Sequence, residues 1–182
     1  SVHSSWITCG GIQVNYALDS GWNLVSVPGQ AESNNRDDLF PGALSLWEWD
    51  NSGNDHRYVQ SDVLKPGWGY WLNLASDTIQ TVVAEEPVDQ TMSLPLGWSL
   101  TGVFSRQVSV AQLKSTVPQI HSVFGYDGVY YLATVLKPGE GYWIKVKDEP
   151  IAALDLGQFD AIPESGVAKP TLAVSYRLPV LN

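Results

Sequence analysis

One stretch of this chain is written twice, and nothing else in the sequence restricts its fold as much. Val63-Leu64-Lys65-Pro66-Gly67-Trp68-Gly69-Tyr70-Trp71-Leu72-Asn73-Leu74 returns as Val135-Leu136-Lys137-Pro138-Gly139-Glu140-Gly141-Tyr142-Trp143-Ile144-Lys145-Val146. Upstream of each copy stands a second shared phrase, Gly21-Trp22-Asn23-Leu24-Val25-Ser26-Val27 and Gly97-Trp98-Ser99-Leu100-Thr101-Gly102-Val103. Between the phrases, Leu46-Trp47-Glu48-Trp49-Asp50 falls opposite Val123-Phe124-Gly125-Tyr126-Asp127, and Tyr58 opposite Tyr130. The halves differ mainly where Asp50-Asn51-Ser52-Gly53-Asn54-Asp55-His56 is replaced by Asp127-Gly128, in a hairpin turn, where insertions are tolerated. A repeat of this period makes each copy one supersecondary unit that buries its apolar face against its neighbour. The expected fold is therefore mostly β, with two homologous β-rich units packed together and one or two short helices. The expected divisions are 1–90 for the first unit with its N-terminal strand, 91–163 for the second, and 164–182 for a linker-like break and a C-terminal strand.

Local patterns fill in this plan. The alternating run Ile12-Gln13-Val14-Asn15-Tyr16-Ala17-Leu18 reads as a strand, and Thr91-Met92-Ser93-Leu94 holds the matching place in the second half. In the next strand Trp22, Leu24 and Ser26 share a face, as do Trp98, Leu100 and Gly102, which predicts that Trp22 and Trp98 point into the core. Residues 28–43 read as loop with at most one helical turn. The matching second-half stretch offers Ser109 as an N-cap and Gln112 at the third helical position, so a short helix is expected there, ended by Pro118. Lys65-Pro66-Gly67 and Lys137-Pro138-Gly139 have the residues of type II turns, which require positive φ at the glycine. Further strands are expected over 78–84, 151–156 and 172–178.

Composition narrows the function classes. The formal charge of −9 excludes the basic stripe that a nucleic-acid ligand needs. No stretch approaches the roughly 20 apolar residues of a membrane-spanning helix. Cys9 is the single cysteine, so no disulfide forms within the chain, and the start at Ser1 reads as a processed or excised fragment. Asp50, Ser52, Asn54 and Asp55 space oxygens partly as a calcium loop does, without its glycine at the sixth position or glutamate at the twelfth, and read as a polar turn. His3, His56 and His121 have no metal-ligand spacing, and no nucleophile elbow or phosphate loop exists. No metal and no cofactor are expected, and the chain reads as non-catalytic, since a paired-carboxylate glycosidase site normally sits in a larger scaffold.

Eight Trp and eight Tyr beside 16% charged residues turn attention to the aromatics. In the strand after each turn, Tyr70, Leu72 and Leu74 form the core face, as do Tyr142, Ile144 and Val146. Trp71 and Trp143 then share the other face with Asn73, Lys145 and Lys147, either as ligand platforms or flat against their own unit. Trp47 and Trp49 lie about 7 Å apart on one strand face, with Phe124 and Tyr126 as counterparts, a spacing that suits a flat ligand or packing between units. Trp68 sits where the other copy has Glu140, so the fold does not demand an indole there, and exposure is expected. Tyr131 has Val59 as its counterpart and invites the same reading. The candidate ligand-binding set is Trp68, Trp71, Trp47, Trp49, Tyr126, Tyr131 and Trp143.

Gly-Trp-Asn-Leu-Val-Ser-Val-Pro at 21–28, followed by Leu-Lys-Pro-Gly-x-Gly-Tyr-Trp at 64–71, resembles a repeat found in large secreted and cell-surface proteins of bacteria and archaea. There it forms β-rich accessory modules, often in tandem and often near carbohydrate-active or adhesive domains. The second copy departs from the pattern at Ser99, Gly102 and Phe104. The resemblance implies an extracellular or cell-surface location with further domains as neighbours. Two functions are expected: a carbohydrate-binding module that stacks polysaccharide on exposed aromatics, or a structural or adhesive module whose aromatics are all used in packing.

Overall fold

In the computed structural model, residues 11–160 are described. The expected strand at 172–178, the linker-like stretch at 164–170, His3 and Cys9 lie outside them. The first unit runs β1 (Gly11–Leu18), β2 (Gly21–Ser26), β3 (Gln30–Ala31), α1 (Arg36–Leu39), β4 (Ala43–Asp50), β5 (Arg57–Gln60), β6 (Gly69–Leu74) and β7 (Thr78–Glu85). The second runs β8 (Thr91–Leu94), β9 (Gly97–Gly102), β10 (Val108–Ser109), α2 (Val110–Thr116), β11 (Ile120–Tyr126), β12 (Tyr130–Leu132), β13 (Val135–Leu136), β14 (Gly141–Val146) and β15 (Ile151–Asp155), closing with a 3-10 turn over Leu156–Gln158.

The two units follow one strand plan. Each has an antiparallel four-stranded sheet, β2-β6-β4-β5 in the first and β9-β14-β11-β12 in the second. Each also has an outer ribbon, β1 against β7 and β8 against β15. Registers correspond as well: Trp71 lies between Leu24 and Trp47, and Trp143 between Leu100 and Phe124. Even the helix entries match, because Asn35 bridges Val63 where Ser109 pairs with Val135. Both residues are N-caps, Asn35 accepting from the Asp37 amide at 3.0 Å and Ser109 from the Gln112 amide at 3.3 Å.

The turns take the expected form. Trp68 N donates to Lys65 O and Glu140 N to Lys137 O, each at 3.2 Å, while Gly67 and Gly139 adopt φ of +83° and +87°. Alternation along β6 and β14 then sends Tyr70, Leu72 and Leu74, and Tyr142, Ile144 and Val146, into two separate cores, all at most 2% exposed. The first core is completed by Val25, Phe40 and Leu46, the second by Val103, Leu113 and Ile120.

The reverse faces of the two sheets meet each other. Between them lies a third cluster in which Leu24, Trp71, Leu100, Phe124 and Trp143 are buried, flanked by Trp47, Trp49, Tyr58, Trp98, Tyr126 and Tyr130. This corrects the expected placing of Trp22 and Trp98. Their strand face does point inward, but toward the other unit, and as second residues of their strands, next to the glycines that open them, they fall at the rim; Trp22 is 37% exposed.

Candidate functional site

The aromatics that sequence reasoning singled out divide into those used between the units and one that is not. Trp71 packs edge-on against Tyr126 at 4.8 Å and Tyr130 at 6.3 Å, both of the second unit. Trp143 packs against Trp49 at 5.5 Å and Tyr58 at 6.4 Å, both of the first. Trp49 and Tyr58 are the counterparts of Tyr126 and Tyr130, so each unit inserts one Trp between the same two rings of its partner. Such returned contacts mark a pseudo-twofold relation. Trp71 and Trp143 are 5% and 0% exposed, which leaves neither an open face for a ligand.

Their indole N–H groups make no full hydrogen bond among the described residues. Each feels the hydroxyl of a Tyr in its own unit, Tyr58 for Trp71 and Tyr130 for Trp143, in a weak polar contact short of good donor geometry. Burial holds both hydroxyls neutral well above the ordinary tyrosine value, Tyr130 being pushed up to about 12. Trp47 and Trp49 are half-buried at the edge of the same layer, and the Trp49 indole donates to Trp98 O at 3.1 Å.

The repeated motif has its second glycine for the same junction. A β-carbon on Gly69 would lie 2.7 Å from Thr101 O, and one on Gly141 would lie 2.9 Å from Val25 O. Backbone of one unit passes over the turn of the other, with bridges Trp68 to Thr101 and Val25 to Glu140. The turn carbonyls accept there too, Gly139 O from Ser26 N at 2.9 Å and Gly67 O from Gly102 N at 3.2 Å. At the centre, a β-carbon on Gly102 would overlap that of Ser26. Ser26 and Gly102 are counterparts, so this point lies on the pseudo-axis, and only one of the two can carry a side chain. Ser26 Oγ uses the space to donate to Glu140 O at 2.7 Å.

The other departures in the second copy also have partners. Ser99 Oγ accepts at 2.7 Å from Asn51, which belongs to the long hairpin turn found only in the first unit. Phe104 covers the first turn, 2.8 Å from where a Gly67 β-carbon would stand. Tyr131, a candidate ligand residue, is instead buried in the second core. Its ring fills the space above Gly125, and it donates to the Glu140 carboxylate at 3.4 Å while Tyr142 donates to the same oxygen at 2.8 Å. Sequence reasoning missed this linkage; the joint change of Glu48, Val59 and Trp68 to Gly125, Tyr131 and Glu140 was the available signal.

Trp68 alone among the candidate residues is exposed, at 43%, with the Lys65 ammonium 4.8 Å from its ring centre. It lines a cleft of about 600 Å³ between the units, walled by the long hairpin turn at Asn51–Gly53 and by the consecutive residues Thr91 to Pro95. A consecutive run along a cleft means that a strand edge faces it, since alternate side chains point to opposite sides. β8 pairs with β15 on one side only, so among the described residues its other edge is open. No Asp, Glu, Lys, Arg or His lines this cleft.

The pseudo-symmetric position holds a second cleft of about 510 Å³, lined by β1 and by Pro138 to Glu140. It differs in charge, carrying Arg106, Lys137 and Glu140. No group of three metal-ligating side chains occurs among the described residues, and Asp50 Oδ1 is engaged by Ser52 N at 2.9 Å and by Ser52 Oγ. Among the described residues no helix is long and apolar enough to cross a membrane. The chain matches no family model, and no curated protein or solved structure is significantly similar to it.

Proposed function

We propose that this chain is a non-catalytic structural module of a secreted or cell-surface protein, in which two β-rich units are joined into one stiff body between neighbouring domains. The observation that carries this reading is the reciprocal burial of Trp71 and Trp143, each held between two rings of the opposite unit. Aromatics suited to a ligand platform are engaged in holding the units together.

Truncating a large aromatic in a packed interior costs about 3 to 5 kcal/mol, so Trp143→Ala should lower unfolding free energy by that much in urea. It should also separate the unfolding of the two units, seen as a second transition by calorimetry. Trp22→Ala, at the rim, should cost about 1 kcal/mol. A Trp143→Ala protein as stable and as cooperative as the parent would remove the basis for this function.

A further inference from the structure

We propose that the cleft beside Trp68 binds a neutral polysaccharide chain, and that, of the two clefts between the units among the described residues, it alone does so. This goes beyond the structural role and does not depend on it. Three features of the cleft converge on that ligand class. No ionisable side chain lines its walls in a chain whose net charge is −9, and the charge beside it is the Lys65 ammonium held 4.8 Å from the indole's ring centre, so an ionic ligand finds no paired charges along the cleft. It presents one exposed indole, a flat apolar surface for the C–H face of a sugar ring. Along the opposite wall run the backbone edge of β8, open among the described residues, and the exposed side chains of Thr91 and Ser93, donors and acceptors for hydroxyl groups.

A peptide added as an extra strand fits less well. β8 is four residues long, and Pro95, next in the wall, has no N–H to continue a ladder.

The comparison between clefts sets the number of sites. At the pseudo-symmetric position Glu140 replaces Trp68, its carboxylate is tied to Tyr142 and Tyr131, and Arg106 and Lys137 add charge. That cleft has no indole to stack on. The position between the two motif glycines therefore decides which cleft takes a sugar.

The test is affinity electrophoresis of the full chain through gels containing laminarin, xyloglucan, galactomannan or soluble xylan, with alginate and heparin as charged comparisons. At least one neutral polymer should retard the chain, and an oligosaccharide of that polymer should titrate with a stoichiometry of one. Trp68→Ala should weaken binding about tenfold or more with its melting temperature unchanged. Ser93→Asp, which brings a charge into the cleft without touching the indole, should weaken it as well, and Arg106→Ala in the other cleft should not. The proposal fails if no neutral polymer retards the chain, if only the charged polymers do, if two oligosaccharides bind per chain, or if Trp68→Ala binds normally. Should Trp68→Ala melt far below the parent, Ser93→Asp decides: normal binding by that variant overturns the site. Binding of arrayed extended peptides in place of glycans would also overturn it.

Discussion

At the scale of single residues, the most informative position is the pair Ser26 and Gly102. An isolated Gly102→Ser substitution places two side chains where one fits, and overpacking of that kind costs about 1 to 3 kcal/mol. Adding Ser26→Gly should recover most of the loss, since the side chain then enters the same space from the other unit. A double-mutant cycle by chemical denaturation measures the coupling, and strictly additive effects would contradict a shared site. Sequence comparison displays Gly102 as a departure from the repeat. What it lacks is the knowledge that a departure in one copy can answer its own counterpart, because residues related by the repeat are far apart along the chain and touch only at the pseudo-axis. Trp68 shows the other side of this: its exposure was legible from Glu140 standing in its place, while the reason Glu140 fits, two tyrosine hydroxyls, was not.

Among the elements, β6 and β14 separate what was readable from what was not. Their period-two alternation correctly puts Tyr70, Leu72 and Leu74 and their counterparts in the cores. The other face, with Trp71 beside Asn73 and Trp143 beside Lys145, reads like the half-solvated face of an antiparallel sheet. It is covered because a second sheet lies over it, with Lys145 turned out across Trp98 at 5.3 Å, and a strand carries no record of what covers it. The Lys-Pro-Gly turns were legible from their chemistry, but the glycine after each of them was not. Gly141 needs no positive φ; it needs a missing β-carbon, since Val25 backbone and Leu24 Cγ stand within 3.2 Å of where one would be. Gly141→Ala should therefore destabilise by about 1 to 3 kcal/mol and loosen the junction, read as faster amide exchange along β2. Unaltered exchange in β2 would mean that the two backbones are not in close contact.

For the whole molecule, the aromatic layer between the units predicts an alkaline limit. In the unfolded chain a tyrosine ionises near 10.0, whereas in the fold Tyr130 keeps its proton to about 12, with burial as the main cause. Across that window the unfolded state has lost protons that the folded state retains, so the contribution to stability is complete below pH 10 and disappears as pH rises toward 12. Melting temperature should fall over this interval, and less steeply in Tyr130→Phe; equal slopes for the variant and the parent would show that Tyr130 is not the group responsible. The Ser26 and Gly102 pair has a wider consequence. Two first units brought face to face would set serine against serine and collide, while two second units would set glycine against glycine and leave a gap without the hydroxyl that reaches Glu140. Like repels or neglects like, and unlike attracts. Among identical molecules a first unit therefore fits a second unit better than it fits another first unit, and one missing β-carbon sets that preference.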